Sequence, residues 1–594
     1  MKNLLLLVWI LFFIACSKDK KDNQLEIPEE GITLSCSTTH LTFSSDGGKD
    51  SLSIFSNYMW SISSSASWCS PSVTKGQENL KIQISVEANP SQESREAIWI
   101  VSSGNLCQDT IYISQSSKDG KLYFPDKKFE KYLLKNFDRN HDGFLSESEA
   151  KEVRIIDIRD DYLNLDGLYH LPELQYLKCA PNSNVSNTEG IKELNISKNF
   201  HLLNLVCSDN QLTELDITQN LALERLDCHN NQLLKLDISN HQDLREVDCS
   251  DNQLTELNLN TCTSLNSLVC SDNNLTSLDI SSCSSLRSLS CDNNQLSTLT
   301  LGSNTTLEHL VCSNNQLMFL ELNDLPQLKS VGCGGYNPVH LKIINCPRLS
   351  GLGIQKQVST VEIINNDSLK SFIYEFIDLT SVKFENCFSL TSINLYHVPL
   401  VSLNIDKCPK LKSINCFATE LEFVDFSKCP TLTSIDCSAA ENLHSLNLDE
   451  CTSLTDLKCS TTKLDNLDVH DCISLTKLWC GYGNLVTLDI SNNVLLQELQ
   501  CPNNKLTTLD VSNNTLLQRL ECSDNQLVTL NVNGLVSLKS LICNNNQLTT
   551  LDVSTCTSLK EFHCYGNPNL KIIYKKKGQE ISIWGADHAQ IIEL

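Results

Sequence analysis

The feature that most constrains this chain is an internal period of 21 residues, which runs from about residue 156 to residue 570. Two successive copies read LERLDCHNNQLLKLDISN from Leu223 and LREVDCSDNQLTELNL from Leu244. A single coil of this length cannot bury its own leucine face, but stacked coils share one continuous core. Side chains one period apart would then lie one strand spacing apart, about 4.8 Å. The period therefore predicts a mainly β solenoid with parallel strands.

Cysteine marks this period in two columns. The first column recurs every 21 residues from Cys207 to Cys333 and resumes at Cys416, and the second runs from Cys262 to Cys556 with asparagine in some coils. The coils between the two stretches of the first column place apolar residues there: Ile354, Tyr374 and Leu395. Because apolar residues can take the place of cysteine, and zinc sites favour C-x-x-C pairs, we interpret the column as small buried hydrophobes. Stacked disulfides and metal binding are the alternatives.

The repeat consensus L-x-x-L-x-C-x-x-N-x-L-x-x-L-D-[IV]-S resembles the leucine-rich repeat, and most closely its nested 21-residue class, IRREKO. The resemblance implies a leucine-rich-repeat solenoid over residues 156–570, followed by a C-terminal cap over residues 571–594. The asparagine of the consensus is lost between Cys333 and Cys480 and then returns. This erosion indicates either drift or a functional segment.

One outward column of the solenoid is the predicted binding surface. The residue between leucine and cysteine should point away from the core, and solenoids usually bind ligands on their exposed strand face. An outward tryptophan at position 479 is costly unless it is used. The candidate ligand-binding face consists of Asn394, Tyr396, Asn415, Phe417, Asp436, Trp479 and Tyr482. Aromatic rings beside amides suit either a peptide strand or a sugar.

An acidic loop precedes the repeat. The segment from Asp138 to Glu149 reads DRNHDGFLSESE and follows apolar residues at helical spacing. It matches the EF-hand pattern, in which oxygen ligands bind Ca²⁺. The predicted ligands are Asp138, Asn140, Asp142, the carbonyl of Phe144, Ser146 and Glu149. We therefore predict an EF-hand-like helical cap over residues 122–155 with one structural Ca²⁺; an empty acidic turn is the alternative.

Residues 32–117 carry short alternating apolar runs separated by turn signals, which predicts an immunoglobulin-like β-sandwich. The sequences WSI at Trp60, VEANP at Val86 and ISQ at Ile113 resemble the BACON domain, a Bacteroidetes-associated, carbohydrate-binding, often N-terminal module. The resemblance implies a bacterial surface protein with glycan or mucin contact. Tryptophans within strand patterns more often pack in the core, however, so a spacer role is the other interpretation.

The first 15 residues have the pattern of an export signal, with Lys2 before an apolar run from Leu4 to Ala15 that is too short to span a bilayer. The sequence FIAC that ends at Cys16 resembles a bacterial lipobox, although Phe13 replaces the usual leucine. The resemblance implies cleavage before Cys16, acylation of that cysteine and a tether over residues 16–31. It predicts a lipid-anchored outer-membrane protein exposed at the cell surface; an ordinary secretory signal is the alternative.

Charge and motif content narrow the function classes. The formal net charge of −25 argues against nucleic acid as a partner, because phosphates would be repelled. Stacked repeats offer ladders of equivalent residues rather than one singular catalytic constellation, so we predict no enzymatic activity. The sequence predicts a non-catalytic adhesion lipoprotein that binds a protein or host-surface ligand. Glycan or mucin capture is the alternative function, and a structural surface-layer role is a third.

Overall fold

The computed structural model describes residues 32–91, 93–104, 107–118, 120–158, 164–181, 190–586 and 588–594. The chain divides into two units, one of Met1–Val153 with Asp166–Leu171 and the other of Arg154–Leu165 with Pro172–Leu594. The predicted signal peptide, the acylated Cys16 and the tether over residues 16–31 lie outside the described residues. Within the described ranges, every helix is too short or too polar to cross a bilayer.

The first unit contains two β-sheets, as the alternating runs predict. Its described strands are Leu34–Cys36, His40–Phe43, Gly48–Ser56, Met59–Ser64, Cys69–Pro71, Lys75–Gln77, Leu80–Val86, Arg95–Ser103 and Cys107–Gln115. They form a four-stranded and a five-stranded sheet. Trp60 and Trp99 are buried in the core of these sheets, and the Arg95 guanidinium lies 4.4 Å from the centre of the Trp68 ring. The tryptophans therefore have packing roles.

Two helices flank the acidic loop in the same unit. The helix Lys127–Phe137 begins at Asp126, whose side chain accepts two backbone N–H bonds, and the helix Glu147–Ala150 begins with a capping box. A short 3₁₀ helix follows at Leu168–His170. The backbone N–H of Leu122 donates to the Leu145 carbonyl across 3.1 Å. The sequence thus closes a helix–loop–helix unit, while its role as a cap on the solenoid stays a prediction.

The second unit is a solenoid of parallel strands, which confirms the predicted leucine-rich-repeat architecture. Leu226 pairs with Val247, and Val247 with Leu268, so neighbouring strands are offset by one period. One sheet contains the strands Ile155–Asp157, Tyr176–Lys178, Asn204–Val206, Arg225–Asp227, Glu246–Asp248, Ser267–Val269, Ser288–Ser290, His309–Val311, Ser330–Cys333 and Gly351–Ile354. A second contains Ser371–Ile373, Ser392–Asn394, Ser413–Asn415, Ser434–Asp436, Asp456–Lys458, Lys477–Trp479, Glu498–Gln500, Arg519–Glu521, Ser540–Ile542, Glu561–His563 and Ser582–Trp584.

Four further sheets lie on another side of the coils. They are Ser277–Asp279 with Thr298–Thr300; Phe319–Asn323, Val339–Ile344, Val358–Ile364, Ser381–Glu385 and Ser402–Asp406; Phe423–Asp425 with Ser445–Asn447; and Thr550–Asp552, Ile572–Lys575 and Gln590–Glu593. The five strands from Phe319–Asn323 to Ser402–Asp406 form one sheet, which overlaps the coils that lose the consensus asparagine. In that part of the chain, backbone pairing between longer strands replaces the side-chain ladder. In later coils, the Thr419 and Thr462 hydroxyls donate instead to the carbonyls of Cys416 and Cys459.

The interior explains both cysteine columns. Every described cysteine from Cys179 to Cys564 is a buried free thiol. In the second column, the Cys262 thiol donates to the Ile238 carbonyl at 3.4 Å, and the Asn220 amide donates to the Ile196 carbonyl at 3.0 Å. In both cases the acceptor lies 24 residues before the donor. Cysteine and asparagine alternate in this column because both are small donors that can satisfy a buried carbonyl. The sequence pattern alone did not reveal this requirement.

The consensus asparagine forms a second ladder. The Asn252 amide nitrogen donates to the carbonyls of Cys228, Cys249 and Ser250 at 3.0, 3.2 and 3.0 Å, and its oxygen accepts from the N–H of Leu233 at 3.0 Å. The preceding residue, Asp251, has a left-handed φ of 53°. Asn and Asp tolerate this region better than other non-glycine residues, which explains their frequency there. Each coil is thus tied to its neighbour by side-chain amides as well as by strands.

Candidate functional site

The predicted face lies on the outward side of the eleven-stranded sheet. In the strand Ser392–Asn394 the central Ile393 is buried, while its two neighbours are half-buried on the surface. Serine occupies the first outward position in four successive coils, at residues 371, 392, 413 and 434. Because serine side chains are small, they leave a shallow cavity of about 370 Å³ over Ser392, Ser413 and Ser434.

The second outward position supplies the polar wall of this cavity. Strand register places Asn394, Asn415 and Asp436 side by side, followed by Lys458 and Trp479. The Asn394 amide nitrogen donates to the Glu375 carboxylate at 2.9 Å, but the Asn394 side-chain oxygen is buried without a hydrogen-bond partner in the structure. A buried acceptor of this kind is costly unless a water or a ligand satisfies it.

Trp479 is half-buried, as an outward position predicts, and another side chain covers part of its ring. The Lys458 ammonium lies 4.6 Å from the centre of the indole ring and 3.9 Å from the Asp436 carboxylate. This cation covers part of one ring face, which leaves less of the ring available for stacking than the sequence suggested. The indole N–H is buried and has no partner in the structure, so it is a second unsatisfied polar group on this face.

Four rings meet beside the cavity, and we call Phe376, Tyr396, His397 and Phe417 the aromatic cluster. Tyr396 stacks on Phe417 with ring centres 5.1 Å apart and planes 13° apart, and Phe376 stacks on His397 at 5.3 Å and 11°. Tyr396 and Phe417 were predicted, whereas Phe376 and His397 were missed. Phe376 is 63% exposed, so the cluster is an accessible surface rather than a core.

A backbone signal could have found the missed pair. Phe376 and His397 have left-handed φ values of 55° and 54°, at the turn position where most coils carry Asn or Asp. Histidine tolerates this region better than most residues, but for the bulky Phe376 it costs of order 1–3 kcal/mol and persists where the surrounding structure holds it. Aromatic residues in place of the consensus Asn or Asp are therefore the sequence signal for this site.

The structure separates Tyr482 from the aromatic cluster. Tyr482 is exposed and also has a left-handed φ, of 57°. It follows Trp479 by three residues and lies four strand spacings from His397, about 19 Å at 4.8 Å per strand. The predicted face therefore consists of one compact site around Asn394, Asn415 and the aromatic cluster, and a second position at Trp479 and Tyr482.

In the acidic loop, several of the predicted oxygen ligands accept hydrogen bonds from the loop backbone. One Asp138 oxygen accepts the N–H of Gly143 at 3.0 Å, and its other oxygen is buried without a partner in the structure. Asp142 accepts the N–H of Phe144 at 3.2 Å, and the Glu149 carboxylate accepts the N–H of Arg139 at 2.9 Å. Burial raises the pKa of Glu149, but hydrogen bonds from Ser146 and from the loop backbone outweigh it and lower the pKa overall. An ionised glutamate and an orphaned aspartate oxygen fit a hard cation such as Ca²⁺.

Comparison with known proteins identifies one segment. Residues 58–116 match the BACON family, described as "Putative binding domain, N-terminal". A xyloglucan-specific endo-beta-1,4-glucanase of Bacteroides ovatus is 34% identical over 105 residues, which are 18% of this chain and 20% of the enzyme. The chain thus spans about a fifth of the length of that curated relative.

Two solved leucine-rich-repeat structures resemble larger parts of the chain. The functional domain of InlJ from Listeria monocytogenes, described as including a cysteine ladder, shares 23% identity over 76% of this chain and 81% of its own, with a TM-score of 0.31. YopM, a leucine-rich effector protein of Yersinia pestis, shares 23% identity over 57% of this chain and 82% of its own, with a TM-score of 0.30. At these TM-scores the fold assignment rests on the strand register itself. A BACON segment before such a solenoid is typical of non-catalytic binding proteins.

Proposed function

We propose that this chain is a non-catalytic surface lipoprotein that binds a protein or host-surface ligand at the aromatic cluster and the adjoining serine cavity. The observation that carries the proposal is the exposed aromatic cluster, with Phe376 and His397 held in left-handed turns. Exposed rings and backbone strain both reduce stability, so their combination at one site favours a binding role. The orphaned acceptor of Asn394 gives an incoming N–H or O–H group a partner.

Binding assays with substituted rings test this site. The full chain is applied to arrays of host proteins and glycans, and any ligand found is titrated against Tyr396→Ala and Phe376→Ala. Loss of a hot-spot aromatic costs about 2 kcal/mol or more, so we expect binding at least about 30-fold weaker. Phe423→Ala is the matched control, because Phe423 is exposed on a different sheet. Equal binding by all three variants would show that the ligand binds elsewhere.

Glycan capture is a second candidate function, supported by the BACON match of residues 58–116 and by amides beside stacked rings. The same arrays distinguish the two candidates by the chemical class that binds. A glycan that the first unit alone retains would assign sugar binding to the BACON segment. Retention that requires Tyr396 would assign it to the solenoid.

Surface attachment through acylated Cys16 is part of the proposal and is supported by the lipobox-like sequence. Several acyl chains on one cysteine would anchor the protein stably, since each buried CH₂ contributes about 0.8 kcal/mol. Cells fed a labelled fatty acid should transfer the label to the wild-type chain and not to Cys16→Ser. A labelled Cys16→Ser chain, or an unlabelled wild type, would refute the anchor.

We also propose that the acidic loop binds one Ca²⁺ through Asp138, Asn140, Asp142, the Phe144 carbonyl, Ser146 and Glu149. The ion would neutralise the loop and stiffen the two helices. At a Ca²⁺ concentration of about 100 times Kd, we expect the first unit to gain about 2.7 kcal/mol. Calorimetry should show this gain in the wild type and in the control Asp50→Ala, but not in Asp138→Ala. A Ca²⁺ response that survives Asp138→Ala would exclude the loop.

A further inference from the structure

Three side chains of metal-binding type meet on the outward face of the ten-stranded sheet, in coils remote from the aromatic cluster. Asp227 and Asp248 are register partners on adjacent parallel strands, and His229 follows Asp227 by two residues. One ligand atom from each of the three lies within 4.8 Å of the other two. Among the residues that the structure describes, this is the group of His, Cys, Asp and Glu side chains that meets that spacing.

The three side chains are held by their own neighbours. The Asp227 carboxylate lies 2.7 Å from His229 Nδ1. The Asp248 carboxylate accepts the Ser250 hydroxyl at 2.6 Å and the Ser250 N–H at 3.1 Å. Valine occupies the same outward position on the two flanking strands, at residues 206 and 269. The paired carboxylates are therefore confined to two coils, which makes the group singular within a repetitive surface.

A fourth residue, Asp209, lies on the opposite side of the imidazole from Asp227. His229 Nε2 lies 3.8 Å from the Asp209 carboxylate, and the Asn230 amide donates to that carboxylate at 2.8 Å. Histidines that bind metals commonly donate their second ring N–H to a carboxylate, which fixes the tautomer and the ring orientation. Asp209 lies on the Nε2 side of the ring, slightly beyond hydrogen-bond distance, while Nδ1 faces Asp227. The imidazole of His229 distinguishes the group from a purely acidic patch.

We propose that Asp227, His229 and Asp248 bind a divalent transition-metal ion of the zinc class, through the imidazole Nδ1 and one oxygen of each carboxylate. One nitrogen and two oxygens at about 2.0–2.2 Å suit Zn²⁺, whereas Ca²⁺ takes about six to eight oxygens. The ion takes the place of the proton between His229 and Asp227, and it offsets the repulsion between the two carboxylates. The fourth tetrahedral position is left for water or for a donor from a bound partner.

Metal titration of the full chain tests the site. The reduced protein is kept in excess Ca²⁺, so that the acidic loop does not compete, and is titrated with Zn²⁺ by calorimetry and with Co²⁺ by visible absorption. We expect the wild type to bind one equivalent that His229→Ala and Asp248→Asn lose. His309→Ala is the matched control, because His309 is an exposed histidine of the same sheet that bonds Ser330, and it should retain the equivalent. Asp209→Asn should keep the stoichiometry but bind about 10- to 100-fold more weakly.

Two further measurements distinguish metal binding at this site from binding by cysteines and from misfolding of the variants. The Co²⁺ spectrum should show the bands of nitrogen and oxygen ligation without thiolate charge transfer, which excludes the buried cysteines as ligands. Circular dichroism of His229→Ala and Asp248→Asn should match that of the wild type, so that lost binding is not lost folding. Unchanged Zn²⁺ affinity and stoichiometry in both variants, or thiolate bands in the wild type, would overturn the proposal.

Discussion

At the scale of single residues, the solenoid depends on small side chains that satisfy buried backbone groups. Asn252 alone serves three carbonyls and one N–H in two coils. The repeated asparagine and the burial of the cysteine columns follow from the sequence pattern. The hydrogen-bond roles do not, because the donor and acceptor are separated by up to 24 residues and meet only when the coils close.

Replacing Asn252 with alanine should destabilise the second unit strongly. The Leu233 N–H loses its partner, and three carbonyls lose one of their two donors, because Asn231, Asn273 and the Asn230 N–H still serve them. One unsatisfied buried group costs about 1–3 kcal/mol, so we expect a loss of that size. Urea unfolding measures the change. Asn260→Ala, in an exposed turn of the neighbouring segment, should shift the midpoint little. Equal effects of the two substitutions would contradict the ladder.

The buried thiols should make the fold sensitive to alkaline pH. Burial raises the pKa of Cys179 to about 12, and burial together with the Asp248 carboxylate raises that of Cys249 to about 12. Thiols of the unfolded chain ionise near pH 8.5, so the unfolded state binds fewer protons above that pH. The contribution of the buried thiols to stability is therefore fully present below about pH 8, and it is lost as the pH rises toward about 12. Unfolding curves at several pH values should show a shallower fall in a Cys179→Ala, Cys249→Ala variant; identical slopes would refute this origin.

At the scale of elements, the turn after each strand carries the side chains that distinguish the aromatic cluster from the other coils. Most coils place Asn or Asp at the left-handed position, whereas Phe376 and His397 occupy it in the aromatic cluster. The sequence pointed to Tyr396 and Phe417 of this cluster because both directly follow the first cysteine column. Phe376 was missed because its significance depends on a backbone angle that the residue letters do not display.

Replacing Phe376 with the consensus asparagine should have opposite effects on stability and on ligand binding. Phe376→Asn removes a bulky residue from the left-handed region, which should raise stability by about 1 kcal/mol. The same change removes an exposed ring from the aromatic cluster and should weaken ligand binding. Calorimetry and the binding assay measure the two effects, with Asp251→Phe as the reverse control that should lower stability. A Phe376→Asn chain that is less stable than the wild type would contradict the proposed strain.

At the scale of the whole molecule, the 21-residue period predicted the parallel solenoid because stacking places every equivalent residue in one environment. The alternating runs likewise predicted the two-sheet first unit. The singular sites were harder to predict, since they arise where several columns depart from the consensus together. Asp227, His229 and Asp248 are ordinary in their own repeats, and only the strand register brings them together.

Residue-resolved thiol labelling tests the stacked solenoid most directly. The chain is exposed to an alkylating reagent without reductant, in buffer and in denaturant, and each cysteine is quantified by mass spectrometry. We predict that the 25 cysteines from Cys179 to Cys564 are protected in buffer and are all alkylated in denaturant, because each lies in the core as a free thiol. Rapid labelling of these periodic cysteines in buffer, or their recovery as disulfides from the denatured chain, would contradict the stacking.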